Sequence, residues 1–287
     1  MGEEMRRDPW LRNRTAETPS GGAWWRVLLT NFALFVIGLF LLLLTGNPNL
    51  FPTVVMLGNF MVPIAYVAFL YERSHLSTLT LPMVAKAFVY GGVLGVFGAA
   101  LLEPLFIRQL DPATALLVGL IEEFAKILGV LFIARRHRHH LELDGILLGA
   151  AVGMGFAALE STGYAFSIFL ASGGSLSATV GVTLLRGILS PVGHGTWTAI
   201  LAGVLFRESR NGRFRFNRPV LGAYLTVALL HGLWDALPPL FYFLSLFLNL
   251  PGTDFLLAQG IIGGLGFFLL WRRWREGKRQ ALAELAA

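Results

Sequence analysis

The sequence predicts an all-α, polytopic membrane protein with about eight transmembrane helices, and three observations carry that prediction. Apolar residues make up 55% of the 287 and charged residues only 14%, with a mean hydropathy of +0.65, far from the balance of a soluble domain. Eight apolar runs each approach the roughly 20 residues that cross a hydrocarbon core. Basic residues gather between alternate runs instead of being spread along the chain.

In order, the expected spans are roughly 26–45, 51–71, 83–107, 113–134, 144–170, 186–206, 219–243 and 254–272. Pro52, Pro63 and the glycine-rich run GGVLGVFG make the second and third the weakest helix formers. The start MGEEMRRDPW has no short apolar region followed by a small-residue cleavage site, so the first run is expected to remain as an anchor. Arg6 stands where a myristoylation motif needs Ser or Thr. The expected organisation is a cytoplasmic segment (1–25), N-terminal transmembrane helices (26–112), a catalytic transmembrane core (113–243), and a last span with a basic tail (244–287).

Charge sets the expected orientation. All but three of the 23 Lys and Arg residues lie in the N-terminal lead, at Arg73 and Lys86, in ARRHRHH, in FRESRNGRFRFNR, or in WRRWREGKRQ. The intervening loops, TGNPNLFP, ASGGSLSATVGVT and NLPGT, carry none. The positive-inside rule then puts both termini in the cytoplasm, which needs an even number of spans. The net charge of +6 and pI of 10.1 fit anionic lipid headgroups at the cytoplasmic face, with no nucleic-acid partner, because the basic clusters are short and separated by apolar runs. RRHRHH is read as a headgroup-facing loop, Asp144 as the cap of the fifth span, and Trp24, Trp25, Trp271 and Trp274 as interfacial residues. There is no cysteine, so a metal site would have to use His, Asp and Glu.

Ionisable residues inside spans are costly and usually mark sites. Glu122, Glu123 and Lys126 lie in the fourth run, Glu160 in the fifth, His194 in the sixth, and His231 with Asp235 in the seventh. At about 1.5 Å per residue, Glu123 lies roughly 17 Å and the two histidines roughly 18 Å from the cytoplasmic ends of their helices, with Glu160 and Asp235 roughly 24 Å in. Four consecutive helices therefore aim polar groups at one slab of the bilayer. Gly145, Gly149, Gly153, Phe156 and Glu160 follow three- and four-residue steps, a stripe where another backbone can approach closely. His194 sits in SPVGHGTW, where Pro191 and two glycines allow the helix to open. His231 and Asp235 are an i, i+4 pair, so the carboxylate can hold the second nitrogen of the ring. Lys126 can reach Glu122 or Glu123, neutralising one and leaving the other to work.

Two histidines and a carboxylate are a set that zinc accepts with an open fourth position, and a further carboxylate nearby could deprotonate a bound water. Glutamate and histidine could also activate water without a metal. A transporter or lipid-handling protein would use the same cluster for ions or protons, and a pseudoenzyme adaptor would not use it chemically. No Gly-x-Ser-x-Gly, His-Glu-x-x-His or P-loop pattern is present.

At EEFAK (Glu122, Glu123, Lys126), DGILLGAAVGMGFAALES (with Phe156 and Glu160), RGILSPVGHGTW (Arg186, His194) and HGLWD (His231, Asp235), the sequence resembles the PrsW family of intramembrane proteases, distantly akin to type II CAAX prenyl endopeptidases. The resemblance covers roughly residues 115–240. It implies a multi-pass protease of a bacterial or archaeal cell membrane, cutting a membrane-anchored protein such as an anti-sigma factor. Carried over, Glu122 and Glu123 hold the catalytic carboxylates with Lys126 beside them, and Glu160, His194 and His231 are the metal ligands. Asp235 stands behind His231, with Phe156 and Arg186 also supporting the site. One zinc ion is the implied cofactor, by analogy with metalloproteases.

Overall fold

The computed structural model describes residues 21–109, 111–135, 141–210, 212–247 and 254–286. Arg6, Arg7, Arg12 and Arg14 with the start motif, most of RRHRHH and the NLPGT loop lie outside the described residues. Among those described, the long elements are all helices: α1 (Ala23–Thr45), α2 (Phe51–Arg73), α3 (Leu81–Lys86), α4 (Gly92–Phe106), α5 (Pro112–Ala134), α6 (Glu142–Ala171), α7 (Leu176–Leu189), α8 (His194–Arg207), α9 (Arg218–Phe247) and α10 (Asp254–Ala286). A π-helical turn, Ala87–Gly91, joins α3 to α4, and a 3-10 turn, Ser190–Val192, joins α7 to α8, so these four helices complete the expected total of eight. Six of the eight units are long and apolar enough to cross a membrane: Ala23–Thr45, Pro48–Arg73, Leu81–Phe106, Glu142–Ala171, Leu176–Arg207 and Arg218–Pro238. The chain is a multi-pass membrane protein.

The core is built around α6. Every residue from Glu142 to Ala158 is buried, so this helix has no lipid face over that length, as expected for a helix surrounded by others. Its glycine stripe explains how. A Cβ on Gly145, Gly149 or Gly153 would collide with the carbonyl oxygens of Ala202, Thr198 and His194 respectively, so the backbones of α6 and α8 touch directly. On another face, Gly92 of α4 lies against the backbone of Gly155, and the stem of Lys126 fills the space beside Gly95. The glycine-rich run that weakens the third span as an isolated helix therefore lets it pack closely in the bundle.

The sixth expected span differs in extent and continuity. Helix begins at Leu176, ten residues earlier than the apolar pattern suggests, because the Ser175 side chain accepts from the Ala178 amide at 3.3 Å and caps it. It then breaks at Ser190–Val192, where Pro191 brings no amide hydrogen, and restarts at His194. Asp144 also departs from its expected role. The N-cap position is Leu141, and the Asp144 carboxylate reaches the connection between α2 and α3 instead, accepting from Ser77 Oγ at 2.6 Å and from the Thr78 backbone amide at 2.8 Å. Trp274 packs against the Leu141, Leu143 and Ala281 cluster instead of standing free.

The far end of α10 closes this same end of the bundle. Gln280 Oε1 accepts from the Glu142 amide at 2.9 Å, and Arg273 lies 3.3 Å from the buried Glu142 carboxylate. In the connection after α8, donation from the Asn217 amide and from Arg207 holds the Glu208 carboxyl below the usual carboxylate range.

Gly149→Ala should lower the thermal unfolding midpoint of detergent-purified protein by an amount equivalent to about 1–3 kcal/mol, because the α6–α8 backbones must separate. Gly163→Ala on the same helix, where an added Cβ meets nothing within 4 Å, should leave the midpoint unchanged or raise it slightly through helix propensity. Equal midpoints for the two variants would refute direct backbone packing as the source of the α6–α8 contact.

Candidate active site

The four polar motifs meet. On α5, Glu122 and Glu123 point about 100° apart, as neighbours on a helix must, and Lys126 lies one turn on. Its ammonium, with no exposed surface, contacts Glu122 Oε2 at 3.0 Å, Glu123 Oε1 at 2.8 Å and His194 Nδ1 at 2.8 Å. All three of its hydrogens are thereby used. The lysine also lies over the Phe156 ring at 4.1 Å, which assigns this residue of α6 a cation–π contact. Lys126 pairs with both glutamates, so it does not by itself decide which one is left to work.

What separates the glutamates is their other partners. Glu123 has no exposed surface, and its Oε2 accepts from Thr198 Oγ1 at 3.1 Å while its Oε1 also meets His231 Nδ1 at 3.1 Å. Glu122 instead lines a cavity of about 690 Å³, with its Oε2 3.5 Å from His231 Nε2 and 3.9 Å from His194 Nδ1. One donor atom each from Glu122, His194 and His231 falls within 4.8 Å of the other two. Two imidazoles and a carboxylate gathered at this spacing, on a cavity, are a donor set that fits a metal ion.

Glu160 adjoins that trio through His194 without being one of its three donors. Its Oε2 lies 3.2 Å from His194 Nε2 and accepts from Arg186 Nη2 at 2.6 Å, while Arg186 Nε donates to Ser161 Oγ at 3.1 Å. Of the expected metal residues, His194 and His231 are therefore joined by Glu122 in the converging group, and Glu160 is an ion-pair partner of Arg186. Asp235 is also placed differently from the expectation. It approaches His231 Nε2 at 3.7 Å, the nitrogen that faces Glu122, whereas the second nitrogen is taken by Glu123. The reason is helical: four residues beyond His231, the Asp235 carboxylate lies along the cavity wall and not behind the ring.

The rings themselves are held by aromatic contact. Trp197 stacks on His231 at 4.5 Å and meets His194 edge-on at 5.3 Å. α5 and α9 are pressed together, since a Cβ on Gly232 would collide with the Leu116 backbone and Tyr224 donates to the Leu120 carbonyl at 2.7 Å. Thr198, Trp197, Glu103 and Gln259 were not singled out from the sequence. Thr198 was detectable, lying four residues after His194 and so on the same helix face. Glu103 and Gln259, both lining the cavity, come from runs with no polar motif.

Residues 80–258 match the family described as PrsW family intramembrane metalloprotease. The chain is 29% identical over 193 residues to Protease PrsW of Halalkalibacterium halodurans, covering 65% of this chain and 84% of that one. It is 27% identical over 178 residues to Protease PrsW of Geobacillus kaustophilus, covering 60% and 74%. No solved structure matches.

Thr198→Val should weaken metal binding roughly tenfold, because it frees the carboxylate that orients His231, and should cost about 2 kcal/mol of stability. Thr226→Val, which removes an exposed hydroxyl bonded within its own helix, is the control and should change neither. Metal titration of the purified proteins checks this, and an unchanged affinity in Thr198→Val would refute the orienting role of Glu123.

Proposed function

This chain belongs to the PrsW family of intramembrane metalloproteases and is a membrane peptidase, and from that premise we propose that it hydrolyses a peptide bond of a membrane-anchored protein, such as an anti-sigma factor, at the Glu122–His194–His231 cluster. The observation that carries this reading is the convergence of those three donors on a cavity within a helical membrane bundle. The setting is a bacterial or archaeal inner membrane, with both termini in the cytoplasm and residues 113–243 as the catalytic core.

Glu122, His194 and His231 are the residues that would hold one zinc ion. When bound there, the ion would polarise the scissile carbonyl and make its water acidic. Glu123 does not contact substrate. Its carboxylate holds His231 by Nδ1 so that Nε2 faces the cavity, and Thr198 and Lys126 hold Glu123 in turn. Asp235 takes the proton at Oδ2 as the water oxygen attacks the carbonyl carbon and returns it to the amide nitrogen as the C–N bond breaks, since it faces the cavity beside His231 and is not ion-paired as Glu160 is with Arg186. The Arg186–Glu160 pair holds His194 at Nε2, so Nδ1 is the atom that would face the ion, once Lys126, which donates to that atom here, turns toward Glu123. Trp197 and Phe156 wall the rings from bulk water.

The test is cleavage of a single-span reporter reconstituted with purified protein, with metal content measured by elemental mass spectrometry. Glu122→Gln, His194→Ala and His231→Ala should each lose metal and more than 100-fold in rate. Asp235→Asn should lose about 100-fold in rate while retaining metal. Full metal occupancy in the first three variants would overturn the ligand assignment, and full activity in Asp235→Asn would overturn its role as base.

A further inference from the structure

Beyond the hydrolytic residues, the cavity wall built from α9 and α10 carries a polar side chain, besides Asp235, that the reaction above leaves unused. On α9, Pro238 and Pro239 follow Trp234 and Asp235 by four residues. Proline brings no amide hydrogen, so the carbonyls of Trp234 and Asp235 lose the helix donors they would otherwise have. Gln259 of α10 repairs the first, donating from Nε2 to the Trp234 carbonyl at 3.1 Å. A carbonyl only accepts, so the amide's orientation is fixed and its other atom is necessarily oxygen. That oxygen, Oε1, is buried with no hydrogen-bond partner among the described residues, on a side chain that is 4% exposed and lines the cavity with Trp234, Asp235 and Pro238.

An unpaired buried acceptor in a membrane protein is expected to meet a donor in some functional state. The peptidase reading supplies one. A scissile bond cannot be attacked inside an intact substrate helix, and opening that helix frees backbone N–H groups that the bilayer does not satisfy. We propose that Gln259 is a substrate-binding residue: its Oε1, beside the proline-freed edge of α9, accepts a backbone N–H of the opened substrate and holds that segment extended along the wall, one helical turn from His231. The recognition is of main chain, not of side chains, in the manner of an added strand. It therefore selects for a segment that can open, and tolerates varied sequence.

This inference rests on the peptidase reading for the identity of the ligand, so its test reads binding and not cleavage. The probe is a dansyl-labelled apolar peptide of about 24 residues with a central Gly-Pro-Gly break, long enough to span. A second version carries esters in place of the central amides, which removes the N–H groups and little else. Dissociation constants come from fluorescence anisotropy on the unaltered full chain, kept from cleaving by a chelator. The amide peptide should bind about fivefold more tightly than the ester, the size of one neutral hydrogen bond. Adding Gln259→Met should weaken the amide peptide to the ester's level, whereas Gln259→Glu, whose protonated carboxyl can donate to Trp234 and still accept, should restore the preference.

Equal binding of amide and ester to the chain with Gln259 intact overturns the proposal without any substitution at that position, whatever the folding of the variants. So does failure of the peptide to bind, and so does an amide preference that survives Gln259→Met. The peptidase reading is judged separately by reporter cleavage with the unaltered chain. An amide preference without cleavage would leave the peptide-binding wall standing and remove the hydrolase.

Discussion

An ammonium with no exposed surface, deep in a membrane bundle, is the constraint on which the rest of this structure depends. Charge in such a place is tolerated only when paired and hydrogen-bonded, and taking away a partner of a buried pair typically costs about 3–5 kcal/mol. Lys126 meets the requirement with two carboxylates and an imidazole, drawn from its own helix and from α8. The histidine can be there only because α8 starts at His194, after the break at Pro191, and because α6 is glycine where α8 crosses it. Helix packing and the polar centre are thus one problem: the close backbone contacts carry the helices inward far enough for short polar side chains to reach each other.

The same centre divides labour between two residues that the sequence presents as equivalents. Glu122 and Glu123 are adjacent and share the lysine, yet a turn of about 100° puts one on the cavity and the other against α8 and α9. Glu123 spends both oxygens on protein partners, which suits a group that fixes an imidazole and its tautomer. Glu122 keeps a face toward the cavity. Its distance to the lysine does not distinguish it from Glu123, since both contacts are near 3 Å. The distinction comes from Thr198 and His231, two residues on other helices.

That is also why the sequence could be read so far and no further. Hydropathy and loop charge give the number of helices, because a bilayer demands long apolar runs whatever the tertiary contacts. The depth of Glu123, His194 and His231 follows from counting residues along a helix, and the facing of the glycine stripe from its three- and four-residue steps. Rotation about each helix axis is not encoded in that way. Whether Asp235 lies behind His231 or beside it, and whether Glu122 or Glu160 completes the trio with the histidines, depends on how neighbouring helices are turned. The early start of α7 was hidden for another reason: its first turns, LSATVGVT, are too polar to register as a span, and a single serine cap sets the boundary.

A bundle that seals a charge this well must still admit a polypeptide, and the two demands are met on different walls. The α6–α8 side is backbone pressed on backbone, with glycines that admit no side chain, so it has no room to open. On the α9–α10 side two prolines take hydrogen bonds away from α9, a single glutamine amide replaces one of them, and the side chains leave a cavity. Rigidity on the first wall fixes the histidines, while the unpaired side-chain oxygen of Gln259 on the second is the acceptor proposed to take a hydrogen bond that a substrate gives up when its own helix opens. A site with both walls rigid could hold a metal and never receive a peptide, and one with both walls interrupted could not keep Lys126 dry. The asymmetry is therefore what a membrane peptidase requires of its fold, and the prolines of α9 and the glycines of α6 are its two halves.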